Sequence, residues 1–458
     1  MSNRRKTLIF FNLIITSFSS TLLGTATVVA LPYVVVDLNV SLATGQWVTS
    51  GFALASAVIM PLSAYLINRI STKRLYLGSL ILLIIGLWIC AVAQTFPVMI
   101  AGRVIQAASG GILGSMAQVI LLTIYSRDKH GTVMGWYGLA MGFGPVIAPT
   151  IAGVLMDLYS WRIMFVLSMA LMMLSFVFAL VLFENFLPTF TNKFDIYSFV
   201  LSGLAFGGLT LGIGNVTTYG IANPFVYVPL LVGVITLVLF VKRQLVQDTP
   251  FLDVRLMKYP IFTIAVISAM LHNFLTLGTA ILMPTLMQNV YHCTATETGL
   301  FMLVPSVMFA LVSPVAGKVY DKFGIRKLYI FSTIVLLLGN GLMVIATENM
   351  PVLGVMLLYT LRNIGLALLM MPLVTWGMSV VSREQYAQGT AVMNTMKNVA
   401  GAIGTAVTIG FMSLFAELNV TSAHAEMYGV NAAFALSTVI TLIMLVIALF
   451  FVKPEKSK

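Results

Sequence analysis

Charge is what this chain has least of. Only 9% of its 458 residues are Asp, Glu, Lys or Arg, against about a quarter in a soluble domain, so it cannot solvate a globular surface. Acids are scarcest, 14 against 25 Lys and Arg. Every acid falls in a loop or at the end of an apolar run, which excludes the paired intramembrane aspartates of a membrane-embedded protease. The only cysteines are Cys90 and Cys293, too few for a disulfide framework or a thiolate metal site. No H-E-x-x-H, G-x-S-x-G or P-loop run is present. Zinc hydrolysis, nucleophile-elbow chemistry and nucleotide-driven pumping thus lack their side chains, and no cofactor or metal is expected.

What remains is apolar. Hydrophobic residues make up 59% of the chain, with a mean hydropathy of +1.01. Runs long enough to cross about 30 Å of hydrocarbon fall at 8–32, 46–67, 75–95, 98–125, 131–156, 162–183, 197–216, 224–241, 260–287, 298–318, 328–347, 351–379, 386–415 and 430–452. They predict an all-α polytopic membrane protein with fourteen transmembrane helices in the lipid bilayer. The first run, from Leu8 to Val36, exceeds the 7–15 residue core of a signal peptide and is read as an uncleaved helix. The net charge of +11 implies no nucleic-acid partner, because the cations are spread over short loops. Arg4, Arg5, Lys6, Arg69, Lys73, Arg74, Arg127, Lys129, Lys193, Lys242, Arg243, Arg255, Lys258, Lys318, Lys322, Arg326, Lys327, Arg383, Lys453, Lys456 and Lys458 all fall on one side of a fourteen-span threading. The other side holds only Arg162. The positive-inside rule then places both termini in the cytoplasm of a cell membrane.

The chain repeats itself. The loop Ala64 to Leu75 aligns with Gly317 to Leu328, and the segment from Ser126 aligns with that from Ser382. These offsets predict two six-helix halves, 1–184 and 259–458, with two inserted helices in 185–258.

The stretch from Gly138 to Trp161 carries small residues at Gly138, Gly142, Gly144, Ala148, Ala152 and Gly153, with Pro145 and Pro149 inside the run. A helix with so little side chain on one stripe admits close approach of another. It reads either as tight membrane packing or as a kinked pivot. This pattern resembles the exporter signature of major facilitator superfamily drug/proton antiporters. The wording from Gln46 to Leu75 and from Ala101 to Gly111 is most similar to the fourteen-helix branch and its lincomycin-resistance group. The resemblance implies two pseudo-symmetric bundles around a cavity, alternating access, and proton-coupled multidrug efflux as an antiporter. Proton-coupled solute uptake and a polytopic membrane enzyme are the competing readings. The protein is expected to act as a monomer.

Within that resemblance the loop around Gly317, Asp321, Gly324 and Arg326 is a cytoplasmic gating latch. Its first-half copy is degenerate, with Asn68 in place of the acid beside Arg69 and Arg74. Arg103 and Gln106 resemble the family's proton-transfer motif; a snorkelling arginine is the alternative. Arg362 and Lys397 match positions where the branch places basic residues, and helix glue fits them equally. His272 is a candidate proton relay or a neutral hydrogen-bonding group. Many relatives carry an Asp in the first span where this chain has Leu23. Asp37 is then the best remaining carboxylate, expected near Arg103. Met116, Met141, Met370 and Trp136 are candidate cavity residues, and Trp47, Trp88 and Trp161 are expected at the interface. A cavity with cations and no buried acid favours neutral, zwitterionic or anionic amphiphiles over dications.

Overall fold

The computed structural model describes residues 1–189, 194–220, 222–419 and 424–453; Lys193, Lys456 and Lys458 lie outside the described residues. Fourteen of the described helices are long and apolar enough to cross a membrane. They are α1 (Asn3–Asp37), α2 (Trp47–Arg69), α3 (Thr72–Ala91), α4 (Phe96–Ile124), α5 (His130–Leu158) and α6 (Ile163–Leu182). Next come α7 (Ile196–Tyr219) and α8 (Pro224–Val246). The chain closes with α9 (Pro260–Gly278), α10 (Ala295–Phe323), α11 (Ile325–Val344), α12 (Val352–Met378), α13 (Tyr386–Leu418) and α14 (Ala425–Phe450). No strand is formed among the described residues.

The packing pairs show the repeat directly. In the first half α1 lies on α5, α2 and α3 on α4, and α3 on α6; in the second half α9 lies on α13, α10 and α11 on α12, and α11 on α14. Two seams join the halves, α5 on α10 and α2 on α13, each the symmetry mate of the other. The inserted α7 pairs with α8 and also lies across α2 and α13. With fourteen crossings both ends of the chain share one side, called here the terminal face.

Lipid is as apolar as a leucine side chain, so close backbone approach and buried polar bonds must hold these helices together. In the first half Asn12, Thr16, Tyr76 and Ser175 close a hydrogen-bonded ring across α1, α3 and α6, with every contact between 2.9 and 3.1 Å. The α10–α11 turn needs Gly324, whose φ is +73°, a region costly for residues with a Cβ. Capping is equally local. Thr294 and Glu297 form a reciprocal box at the start of α10.

The ninth run is not one helix. After Gly278 the backbone loosens, resumes over Leu282–Thr285 and ends in a π turn over Leu286–Val290. The cause is tertiary: Gly278 abuts the Gly404 carbonyl, where a Cβ would come within 2.7 Å. The Arg362 guanidinium meanwhile takes the Leu275 carbonyl at 2.7 Å. By contrast α5 runs unbroken through Pro145 and Pro149, so the prolines do not interrupt the helix.

The inserted pair is anchored where α7 begins. Burial raises the Asp195 pKa, but hydrogen bonds from Ser198, Gln247 and Arg243 outweigh it and hold the carboxyl at about 2. A depressed acid stabilises the fold above its ordinary pKa, and this anchor is lost only as pH falls toward about 2. Higher up, Gly208 and Gly233 bring the backbones of α7 and α8 together. A Cβ on Gly208 would lie 2.7 Å from the Pro229 carbonyl oxygen. Gly208→Leu is expected to cost about 1–3 kcal/mol through overpacking. Thermal unfolding in detergent, compared with a leucine at Gly214, where nothing lies within 4 Å of a Cβ, measures that cost.

Candidate functional site

The α5–α10 seam is built on glycine. A Cβ on Gly131 would lie 2.6 Å from the Gly317 carbonyl oxygen, and one on Gly135 would lie 2.7 Å from that of Ser313. On Gly138 it would strike Ser313 and come within 2.7 Å of Met371, and on Gly142 within 2.9 Å of Phe309. The reciprocal glycine is Gly317, which faces the Gly131 carbonyl. Ser313 adds a hydrogen bond from its hydroxyl to the Gly135 carbonyl at 3.0 Å.

At the terminal end of this seam Asp321 sits on the first turn of α5. Its Oδ1 accepts from the Gly131 amide at 2.8 Å, and its Oδ2 from the Thr132 amide at 2.7 Å and hydroxyl at 2.6 Å. A carboxylate is favoured there because the first amides of a helix lack intrahelical partners and carry partial positive charge. Arg127, read from sequence only as a topology charge, adds a second clasp. It donates to the carbonyls of Ser379 at 3.1 Å and Val381 at 3.3 Å. Its Ser-Arg pairing in the repeat was the available signal. Arg326 lies elsewhere, donating to the Leu449 carbonyl at 3.3 Å. In the degenerate first-half loop, Asn68, Arg69 and Arg74 make no hydrogen bond or ion pair among the described residues.

The predicted hinge residues therefore divide. Gly138 and Gly142 face α10, whereas Gly144 faces α1, a Cβ there lying 3.1 Å from the Phe18 carbonyl oxygen. Gly153 meets nothing within 4 Å.

Each half buries an arginine on its fourth helix. Arg103 on α4 is 2% exposed. It donates through Nε to the Val48 carbonyl at 3.0 Å and through Nη1 to Gln106 Oε1 at 2.8 Å, and lies 4.3 Å from the Phe52 ring centre. Gln106 in turn donates to the Gly86 carbonyl at 2.9 Å and Cys90 Sγ at 3.1 Å. Arg362 on α12 is bonded inside the second half. It reaches Asn340 Oδ1 at 3.0 Å, the Leu275 carbonyl and the Thr279 hydroxyl.

Several expectations are corrected by these contacts. Asp37 does not approach Arg103: it pairs with Arg162 at 2.7 Å and accepts from Trp161 Nε1 at 3.3 Å. Arg162 also donates to the Ala93 carbonyl at 2.7 Å, so the cluster ties α1, α3 and α6 on the face opposite the termini. Trp161 is consequently buried and is no interfacial anchor, unlike the exposed Trp47 and Trp88. Arg362 turns its Nε and Nη2 to acceptors between helices rather than to a cavity between the halves. Gln106 belongs with Arg103 inside the first half, and Met116 is fully buried core. Met141 and Met370 are partly buried against the same core. Trp136 is exposed, but lies in the part of α5 where the halves are already in contact.

His272 is buried, its Nε2 lying 2.8 Å from the Leu366 carbonyl, which makes it a bond between α9 and α12. Lys397 on α13 is only partly buried, and its ammonium has no hydrogen bond or ion pair among the described residues. Two contacts between halves had no signal in the sequence. Asn394 Nδ2 lies 3.3 Å from Gln118 Oε1, and Asn398 Nδ2 lies 3.1 Å from Met60 Sδ.

Two repeated six-helix halves, joined along a glycine-lined α5–α10 seam and an α2–α13 seam and clasped at one face, define a membrane transporter. The chain belongs to the Major Facilitator Superfamily, whose sequence profile matches residues 13–405 and 265–458. It is 34% identical over 442 residues to the MFS-type transporter YcnB of Bacillus subtilis (strain 168), covering 96% of this chain and 94% of that one. It is 33% identical to the lincomycin resistance protein LmrB of the same organism, covering 88% and 85%. In fold it matches the crystal structure of the human organic anion transporter MFSD10 (TETRAN) with a TM-score of 0.69, at 14% identity, over 98% of this chain and 100% of that one.

The clasp makes a direct prediction. Asp321→Asn removes the charge from three hydrogen bonds, each worth about 1.5–3 kcal/mol when charge-assisted. The clasped fraction should fall by roughly tenfold or more. In a background with both native cysteines replaced, Met371→Cys, buried against the seam, should then label faster from the terminal face. An unchanged labelling rate would mean that Asp321 does not hold the seam.

Proposed function

We propose that this chain exports amphiphilic drug-sized molecules in exchange for protons, by alternating access across a cell membrane, as a monomer with its terminal face in the cytoplasm. The observation that carries this reading is the one-sided clasp. The named contacts between halves run from Arg127, Gly131 and Asp321 at the terminal face to Gly142, Met60 and Asn398 deeper in the bundle. Nearer the opposite face Val36, Val154 and Leu158 are exposed. This arrangement is read as the state closed to the cytoplasm. Breaking the Asp321 and Arg127 contacts while the opposite ends approach would give the reverse state.

The substrate class follows from charge. Lys397 keeps an unspent ammonium near the middle of α13, and no acid is embedded at that depth. A dication would lose its hydration there with no partner. Neutral and anionic amphiphiles are the expected cargo, and lincomycin-like drugs are included by the kinship with LmrB. For the proton, Asp37 remains the carboxylate of choice, now acting through Arg162. Protonation removes the charge that holds α1 to α6, which loosens the opposite face.

Fluorescent-substrate efflux from cells, with and without a protonophore, tests the reading. Wild type should lose export when the gradient collapses. Asp37→Asn should keep residual export that no longer responds to pH. Lys397→Gln should slow export of anionic substrates by roughly tenfold relative to neutral ones, the scale of one charged hydrogen bond. Export indifferent to the protonophore would reject proton coupling, and equal losses for both substrate charges would reject the role of Lys397.

A further inference from the structure

One cavity lies wholly inside the first half, away from the seams. Its volume is about 30 Å³, room for one small ion or a pair of waters, since a single water needs about 10–15 Å³ of such space. The polar part of its wall is Ser19, Ser20, Arg103, Gln106 and Ser168. Leu23 stands on the same wall.

The hydrogen-bonding capacity of that wall is lopsided. Arg103 uses Nε and Nη1 on Val48 and Gln106, and its Nη2 has no hydrogen-bond partner among the described residues. The hydroxyls of Ser19 and Ser168 have no partner either, although the residues are only 0% and 1% exposed. Ser20 turns its hydroxyl to the Thr16 carbonyl at 2.9 Å. The one side-chain carbonyl oxygen, Gln106 Oε1, is taken by Arg103, and the Gln106 amide nitrogen donates away from the cavity to Gly86 and Cys90. The cavity therefore presents unspent donors and a positive charge. The first-helix acid Asp37 is engaged by Arg162, and Arg103 forms no ion pair among the described residues.

We propose that this cavity binds a small monovalent anion of the chloride type, held by Arg103 Nη2 and the hydroxyls of Ser19 and Ser168. The anion is the exchangeable counter-ion of a guanidinium that no side chain neutralises. Water would fill the volume but would leave the charge uncompensated in a low-dielectric interior, where an unpaired ion is costly. The site stands independently of proton coupling and of the exported substrate.

The test uses thermal unfolding of the purified full chain in detergent, at constant ionic strength, with chloride or bromide replacing gluconate. Binding to the folded state alone raises the midpoint with anion concentration until the site fills. Ser19→Ala combined with Ser168→Ala should raise the half-saturating concentration roughly tenfold, the scale of losing two hydrogen bonds. Leu23→Asp places a carboxylate on the same wall and should make the midpoint independent of the anion. A wild-type midpoint indifferent to chloride, or an anion effect undiminished in the serine variant, overturns the proposal. So does a folded Leu23→Asp protein that keeps the full chloride response. If that variant does not fold, the serine variant decides alone.

Discussion

A single carboxylate seated on the first amides of a helix governs the shape of this transporter. Asp321 can reach the amides of Gly131 and Thr132 only because the backbones of α5 and α10 nearly touch. They touch only because glycine occupies Gly131, Gly135 and Gly317. Any Cβ there would collide with carbonyl oxygen or with the facing backbone. In lipid no gain in apolar burial would repay a wider gap. Close approach and charge-assisted bonding therefore act as one device: the glycines bring the helix terminus within reach, and the acid converts proximity into a clasp. Its bonds are few and directional, and they join the halves without entering the core of either one.

The pseudo-symmetry predicts a second clasp, between the end of α2 and the start of α13. Asn68 stands where the acid would be, and neither it nor Arg69 makes a hydrogen bond or ion pair among the described residues. The seam is closed differently. The inserted α7 lies across both α2 and α13, with Gly203 and Gly207 against Val58, and its foot is pinned by the Asp195 and Arg243 pair at 3.0 Å. The two extra helices thus brace the seam whose own latch has lapsed. One seam is held by a polar contact and the other by a covering helix.

Much of this was legible in the sequence, for definite reasons. Span number follows from run length against bilayer thickness, and the repeat from loop residues that must turn and carry charge. The Gly138 and Gly142 stripe announced close approach because a bare helix face has little other use. What could not be read was direction. Gly144 lies on the same run yet faces α1, because a hundred-degree step per residue turns neighbours toward different helices. Trp161 reads as an interfacial ring until Asp37 is seen to accept its indole proton. The break after Gly278 had only a weak local signal, a single glycine inside a long apolar run. At that level Arg362, distant in sequence, also donates to the Leu275 carbonyl.

That break also explains why the two buried arginines differ. Arg362 places its Nε on Asn340 and its Nη2 on the Leu275 carbonyl and the Thr279 hydroxyl, at the level where its half's first helix, α9, opens. The symmetry mate α1 is continuous from Asn3 to Asp37, so its carbonyls at the level of Ser19 and Leu23 remain committed to the helix. Arg103 must look elsewhere. It finds one carbonyl, one amide oxygen and the face of Phe52, leaving Nη2 toward the cavity. An acid on α1 would complete the set without breaking the helix, and Leu23 cannot. The unmet acceptor in the first half is thus a consequence of keeping α1 intact while dispensing with its carboxylate. A mobile anion is the remaining way to satisfy both conditions.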